Sequence, residues 1–235
     1  MSAELRRAPD WVRLPTGTFI MGESPEDKFA TDTERPAHPV ELAQGFALAR
    51  FPVTVGEYRA FHPQHSAGDD PALPVVNVSW DEATAFCAWR REQSGEGIRL
   101  PTEAEWEYAC RAGQRAAFAG TDELTPAAAN FLYAEDGRRI GPGRRTAAGH
   151  YAPNGFGLLD LLGNVCEWVA DTWHPNYFGA PADGSAWTGG EPRCIIRGGA
   201  WDYLPRLLRC AWRDALPRGS RRDNVGFRLA RTGES

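Results

Sequence analysis

The chain has 235 residues, of which 42% are hydrophobic and 24% are charged, so it can bury a substantial core. Its formal net charge of −5 argues against nonspecific nucleic-acid binding, and no apolar run is long enough to cross a membrane. Nine Trp, 25 Gly and 18 Pro favour a loop-rich fold pinned by aromatic side chains over a helical bundle.

No apolar segment of the signal-peptide type is visible near the N-terminus, and the cysteines include no Cys-x-x-Cys pair. We therefore expect a cytoplasmic protein whose cysteines are reduced and buried. The five are Cys87, Cys110, Cys166, Cys194 and Cys210.

In chain order, the first half combines short strands with three short helices. Strands are predicted at residues 17–22, 40–42 and 46–49. Three Ser/Thr-x-x-Glu capping boxes predict helices that begin after Thr54, Ser79 and Thr102, because this pattern satisfies backbone donors at a helix start. All three predicted helices lie before residue 113.

Beyond residue 113, Gly, Pro, Asn and Asp interrupt the pattern every few residues, and only 157–162, 194–196 and 225–230 look regular. No shift in composition divides the chain, so we expect one domain over residues 11–231. Residues 1–10 are expected to be a frayed leader and residues 232–235 a tail. A long irregular insert at about 200–224 lies between the last two predicted strands. Such an insert typically presents a binding surface on a rigid scaffold.

Five motifs follow one another in a specific order and spacing. They are RLPTEAEWEYA at 99–109, NGFGL at 154–158, GNVCEW at 163–168, RGGAW at 197–201 and VGFR at 225–228. In this order they resemble the formylglycine-generating (sulfatase-modifying) enzyme family. The resemblance implies an α+β, C-type-lectin-like fold with few helices, short strands and long loops.

The family includes copper-dependent oxidases that generate formylglycine, iron-dependent sulfoxide synthases, members without known chemistry, and variable proteins of diversity-generating retroelements. The oxidases need two cysteines in the insert, since paired thiolates hold copper(I). Residues 200–209 contain no cysteine, and Cys210 matches a framework position, so we expect neither copper nor formylglycine generation. The histidines are scattered, and His62 and His65 flank a proline. An oxidase or oxygenase with an unidentified metal site and substrate stays the alternative.

The resemblance also implies two structural calcium sites, because calcium accepts six to eight oxygen ligands in irregular loops. Asp160, Gly163, Val165 and Glu167 match one family site, and Asn130, Phe131, Asp136 and Arg138 match the other in spacing. The alternative is that Asn164 and Glu167 bond to neighbouring loop amides and that Asp136 begins a turn. Arg138 places a cation beside the second site.

The insert region, residues 193–231, carries ten arginines, three aspartates and no glutamate. Arg, Trp and Tyr dominate the energetics of binding interfaces. Arg197, Trp201, Arg209 and Arg213 occupy family motif positions and are expected to be buried. The expected exposed ligand-binding residues are Asp202, Tyr203, Leu204, Arg206, Asp214, Leu216, Arg218, Ser220, Arg221 and Asp223.

The most consistent hypothesis is a non-catalytic binding protein whose insert binds a protein or another ligand. We expect neither nucleic acid nor a membrane as a partner. It resembles the retroelement variable proteins in one further respect. Adenine-directed mutagenesis of asparagine codons cannot produce Lys, Glu, Gln, Met or Trp, and the expected binding residues include none of these types.

Overall fold

Strands β1, Trp11–Leu14, and β4, Phe46–Ala49, begin the first sheet. The computed structural model describes residues 9–66, 68, 70–120 and 123–233. Strand β10, Ala230–Thr232, pairs with β4 on one side and with β5, Ile98–Arg99, on the other. The order β1-β4-β10-β5 is antiparallel throughout, so the start and the end of the described chain lie in one sheet.

A separate hairpin joins β2, Gly17–Met21, to β3, His38–Leu42. These strands and β4 confirm the three strands predicted in the first half. Long loops connect most elements, and the described residues hold three α-helices and ten mostly short strands. The predicted α+β fold class is therefore confirmed.

The second sheet contains the insert. Strand β6, Cys166–Trp173, pairs in antiparallel fashion with β7, Glu191–Arg197, and in parallel with β9, Val225–Phe227. Strand β8, Arg213–Pro217, pairs with β7 and forms the free edge of the order β8-β7-β6-β9. The insert was predicted to be irregular, and this was wrong for five of its residues, which form the edge strand β8.

Two other expectations about the second half were wrong. Residues 157–162 form no helix or strand, whereas β6, the longest strand described, begins four residues later at Cys166. The run 225–230, predicted as one strand, divides between the two sheets. Its first part, β9, pairs with β6, and its last residue begins β10 beside β4 and β5.

The three α-helices begin where the capping boxes predict. They are α1, Val55–Arg59, α2, Trp80–Ser94, and α3, Glu103–Arg111. In each box the Thr or Ser hydroxyl accepts the backbone N–H of the glutamate three residues later, and the glutamate accepts the cap's own N–H. Within the described ranges, no helix is long and apolar enough to span a membrane.

Two apolar clusters form most of the core. Tyr58 and Phe86 pack with Trp168 and Phe227 in one cluster, and Trp106 packs in the other. Charged side chains are buried with them, since Arg197 is 0% exposed and Glu107 is 0% exposed. Buried charges require partners, and these residues pair with each other at 2.7 Å.

Candidate binding site in the insert

Both arms of the insert are attached to the start of β6. The N–H of Trp201 donates to the carbonyl of Asn164 at 3.1 Å, and the N–H of Cys166 donates to the carbonyl of Asn224 at 2.9 Å. Residues far apart in the insert therefore meet around Cys166.

Four side chains meet there and the Asp214 carboxylate is near enough to act on them electrostatically; we call the five the Asp202 cluster. They are Cys166, Asp202, Tyr203, Asp214 and Asn224. The Asn224 amide donates to both carboxylate oxygens of Asp202, at 3.0 and 3.1 Å. The Tyr203 hydroxyl lies beside the Cys166 thiol, and the carboxylates of Asp202 and Asp214 act electrostatically on both groups.

These surroundings keep the thiol and the phenol of the Asp202 cluster protonated. Burial is the largest cause that raises the pKa of Cys166, and the nearby Asp202 and Asp214 carboxylates raise it further. Burial also raises the pKa of Tyr203, with added contributions from Cys166 and the two aspartates. Because the thiolate is the nucleophile and the metal ligand, a thiol held in this form is poorly suited to either role.

One polar atom of the Asp202 cluster has no hydrogen-bond partner among the described residues. Asn224 is 7% exposed, and its Oδ1 has no hydrogen-bond partner within the described part of the chain. A buried acceptor without a donor costs about 1–3 kcal/mol, so such atoms mark sites where a ligand can contribute binding energy.

The arginines of the insert do not dominate its charge, because acids outside the insert neutralise them. Five of the six arginines within residues 200–224 form ion pairs. The pairs are Arg206 with Glu135, Arg209 with Asp27 and Glu34, Arg213 with Glu103, Arg218 with Asp81, and Arg221 with Glu82. By contrast, Asp202 and Asp214 form no ion pair with any described residue. The Asp202 cluster is therefore acidic.

The residues predicted to bind ligand fall into separate groups. Asp202, Tyr203 and Asp214 come together in the cluster, whereas Arg218 and Arg221 extend toward α2, where Arg218 lies 4.9 Å from the Trp80 ring. Leu204 is half-buried beside the short 3₁₀ helix Pro205–Leu207, which contains Arg206, and Ser220 and Asp223 lie in the turns after β8.

The exposure of the side chains shows that one predicted contact residue is buried, and it also tests the residues that were predicted to be buried. Leu216 is buried, so its assignment as an exposed contact was wrong: it faces the core opposite Cys194. Arg197, Arg209 and Arg213 are buried as predicted, while Trp201 is only partly buried. Cys166 and Asn224 were not predicted to contribute. Cys166 lies in the motif at 163–168, and Asn224 directly precedes the motif at 225–228. Nothing in the sequence indicates that either side chain faces the insert.

In the first predicted calcium loop, one carboxylate has all its partners within the protein and the other has an oxygen without a described partner. Asp160 Oδ2 accepts the N–H of Gly149, but Oδ1 is buried without a described partner, and burial raises the pKa of this carboxyl. Glu167 instead pairs with Arg228 at 2.6 and 2.7 Å and accepts Trp106 Nε1 at 2.8 Å. The unpartnered Asp160 oxygen fits a cation, whereas Glu167 is neutralised without one.

The second predicted calcium loop fits a cation less well. Asp136 accepts both the backbone N–H and the Nε of Arg138, at 3.0 and 2.7 Å, as expected for the turn alternative. Asn130 is fully buried and donates to Asn164 Oδ1 at 3.1 Å, while its own Oδ1 has no described partner, and Phe131 is also buried. Binding of calcium here would require the Asp136–Arg138 ion pair to separate. Across the described ranges, no three His, Cys, Asp or Glu side chains are grouped to hold a metal ion.

Comparison with known proteins identifies the family of the chain. The family model described as "Sulfatase-modifying factor enzyme 1-like domain" matches residues 1–233. The chain belongs to this family. It is 32% identical to the formylglycine-generating enzyme of Streptomyces coelicolor, over 97% of this chain and 91% of that protein.

Two solved structures share the fold of this family member. The structure of PvdO from Pseudomonas aeruginosa is 32% identical, with a TM-score of 0.86 over 97% of this chain and 96% of that one. Treponema denticola variable protein 1 is 22% identical, with a TM-score of 0.81 over 95% of each chain. The second likeness establishes a shared fold, and the resemblance to the family and to a variable protein is confirmed.

Within this family framework, the insert lacks the paired thiols of the oxidases. Cys166 is the cysteine of the Asp202 cluster, and it contacts Tyr203. Cys110 and Cys210 do lie close together, with their Sγ atoms 3.3 Å apart, but both are buried in the interior.

Proposed function

We propose that this family member is a non-catalytic binding protein whose Asp202 cluster binds a ligand that presents an amine or a guanidinium. One observation carries the proposal: acids outside the insert neutralise five of its arginines, while Asp202 and Asp214 make no ion pair in the described chain. The side chains that remain available at the cluster are therefore acceptors.

The composition of the cluster matches such a ligand. Two carboxylates and the free Oδ1 of Asn224 accept hydrogen bonds, and ammonium and guanidinium groups only donate them. The ring of Tyr203 meets Trp212 edge to face at 5.7 Å, which adds an aromatic surface. Aromatic rings attract cations through their negative faces, so this surface favours the same ligand class.

Selection of peptides tests the proposal. A phage-displayed library of random heptapeptides, panned on the wild-type protein, is expected to be enriched in Lys and Arg. Affinity for the selected peptides should fall about tenfold in the Asp202→Asn/Asp214→Asn variant, as expected for two partly exposed charge contacts. The matched control is Glu41→Gln/Glu92→Gln, which removes two exposed acids outside the insert.

The control should bind the selected peptides within twofold of wild type. Peptides without basic enrichment, or equal binding to the Asp202→Asn/Asp214→Asn variant, would show that the Asp202 cluster is not the binding site.

The competing function is an oxidase or oxygenase, which is supported by the identity with the Streptomyces enzyme. Loading the protein with copper(I) or iron(II), followed by desalting, metal analysis and oxygen-electrode measurements with a cysteine-containing peptide, separates the two functions. We expect less than stoichiometric metal and no oxygen consumption above the metal-only background. Stoichiometric metal with peptide-dependent oxygen uptake would replace the binding proposal.

Diversification by a retroelement is a narrower form of the binding proposal. It requires a template repeat that matches the codons for residues 200–228, beside a reverse-transcriptase gene. Sequencing of the genomic neighbourhood tests this form alone. A locus without the repeat would remove it and leave ligand binding by the Asp202 cluster intact.

Calcium is proposed as a structural ion at the loop that contains Asp160, Gly163, Val165 and Glu167. The unpartnered Oδ1 of Asp160 supports this assignment, and a bound ion would tie the loop to β6. A chelator should lower the melting temperature of wild type, with no shift in Asp160→Ala. Equal melting curves for wild type with and without chelator would count against the site.

A further inference from the structure

A second concave surface lies between α2 and the loop 183–188, and we call it the α2 cleft. Its volume is about 790 Å³. One wall is a single face of α2 that includes Trp80, Thr84, Cys87, Ala88 and Arg91. Their spacing of four, three, one and three residues keeps them on one side of the helix. No residue of the Asp202 cluster lines this cleft.

The opposite wall is fixed in place, so the α2 cleft is preformed. Thr102 Oγ1 donates to the carbonyl of Gly184 at 2.9 Å, and the N–H of Trp187 donates to Asp171 Oδ1 at 2.7 Å. Gly184 has a φ of 74°, and a Cβ there would lie 2.2 Å from Leu42 Cδ2. This close approach packs the loop directly against the hairpin.

The interior of the α2 cleft is mainly apolar. Ile98 and Leu100 line it, together with Leu42 at the end of β3 and Phe46 at the start of β4. The indole Nε1 of Trp80 donates to the carbonyl of Val169 at 2.7 Å, which fixes the ring at the cleft wall. A volume between about 300 and 1,000 Å³ with an apolar lining and a few polar groups is typical of small-molecule sites.

Of the two arginines at the α2 cleft, one has a carboxylate partner and the other has none among the described residues. Arg99 forms a two-pronged ion pair with Glu105, at 2.6 Å for both contacts. Arg91 is exposed and forms no ion pair with any residue the structure describes. Both arginines line the cleft together with Cys87, where burial raises the pKa of the thiol to about 12 and the two guanidinium groups partly offset that rise. Asp183, on the loop wall, is exposed and accepts hydrogen bonds from Ser185.

We propose that the α2 cleft binds a small amphipathic anion, with an aromatic or branched apolar body against Trp80, Ile98 and Leu100. The carboxylate or sulfonate of this ligand would pair with Arg91. Burial of the apolar body supplies most of the binding energy at roughly 25 cal/mol for each Å² removed from water, and Arg91 fixes the orientation. This site is independent of the function proposed for the Asp202 cluster.

Two dyes with the same ring system test both parts of the proposal. 8-Anilinonaphthalene-1-sulfonate carries the anion, and N-phenyl-1-naphthylamine lacks it. Wild type should bind one molecule of either dye per chain. Arg91→Gln should weaken binding of the sulfonate about fivefold, the equivalent of one exposed charge contact, and leave binding of the neutral dye within twofold.

A third variant tests the cavity itself. Ala88→Trp places an indole in the cleft and should weaken both dyes more than tenfold. Ala88 is only half-buried, and circular dichroism with the urea midpoint confirms the fold of the variant. If that variant does not fold, Thr84→Trp, at an exposed position one turn earlier, replaces it. Arg13→Gln, an exposed arginine on β1, is the matched charge control.

The outcomes are distinct. Loss of both dyes in the Trp variant, with selective loss of the sulfonate in Arg91→Gln, supports the site. Unchanged binding of both dyes to a folded Trp variant would overturn the assignment of the cleft. Equal losses of the sulfonate in Arg91→Gln and Arg13→Gln would overturn the role of Arg91.

Discussion

Replacement of Glu103 by glutamine is expected to destabilise the fold strongly, because Glu103 is the counter-ion of two buried arginines. Its Oε1 accepts Arg197 Nη1 and Arg213 Nε, both at 2.8 Å, and its Oε2 accepts Arg213 Nη2 at 2.8 Å. Tyr177 donates to the same carboxylate at 3.2 Å. Glu103 is 2% exposed, so water cannot replace these contacts.

The magnitude follows from what each arginine retains. Arg197 keeps Glu107, at 2.7 Å. Arg213 keeps the backbone carbonyls of Thr33 and His174 as hydrogen-bond acceptors, each at 3.1 Å, and stays over two aromatic rings, but it loses its counter-charge. Removal of one partner from a buried ion pair costs about 3–5 kcal/mol. That is a large part of the roughly 5–15 kcal/mol that typically stabilises a domain.

Urea unfolding of Glu103→Gln and Glu191→Gln measures this difference with the same chemical change. Glu191 pairs with Arg193 at the surface, with 51% of its side chain exposed, so its loss should cost less than about 1 kcal/mol. The double variant Glu103→Gln/Arg213→Met should recover part of the loss, because the uncompensated charge is also removed. A loss for Glu103→Gln no larger than that of the surface control would refute the reasoning.

Three further predictions concern pH, helix capping and thiol reactivity. Burial, with a contribution from Glu103, raises the pKa of Asp171 to about 7. Between about pH 4 and 7 the folded protein therefore retains a proton that the unfolded chain releases, and this group lowers stability as pH rises. In Asp171→Asn, the free energy of unfolding measured with urea should fall by up to about 4 kcal/mol less between pH 4 and 7 than in wild type. The same pH profile in both proteins would contradict this prediction. Ser79→Ala should cost about 1 kcal/mol by removing the cap of α2, whereas Ser94→Ala at its other end, where the hydroxyl is exposed, should cost much less. All five cysteines are free and buried, so a disulfide-exchange reagent should titrate five thiols in urea but react slowly with the native protein; a fast native phase would contradict their burial.

The helices could be predicted from the sequence because the residues that start them are close together in the chain. A capping box acts over three residues, so Thr54, Ser79 and Thr102 located all three helices before any tertiary contact was known. The strand β8 was missed because its pattern, Arg213–Pro217, shows little apolar alternation. It is a strand because it pairs with five residues of β7, which lie upstream across most of the insert.

The charge of the candidate site could not be predicted in the same way. Counting residues indicated an arginine-rich surface, but Arg209 pairs with acids 175 and 182 residues away, and Arg213 pairs with one 110 residues away. Composition records which charges are present and carries no information about which of them are neutralised. The acidic character of the Asp202 cluster appears only when those remote acids are placed.

The sequence by itself determined the family, the α+β class, the helix starts and the absence of a cysteine pair from residues 200–209, because motifs, caps and residue types are properties of the linear chain. Only the tertiary structure decided that the insert forms an edge strand, that Asp202 and Asp214 share a site with Cys166, and that a cleft lies beside α2. The physical reason is that pairing, burial and enclosure depend on distances between remote residues, and the fold alone sets those distances.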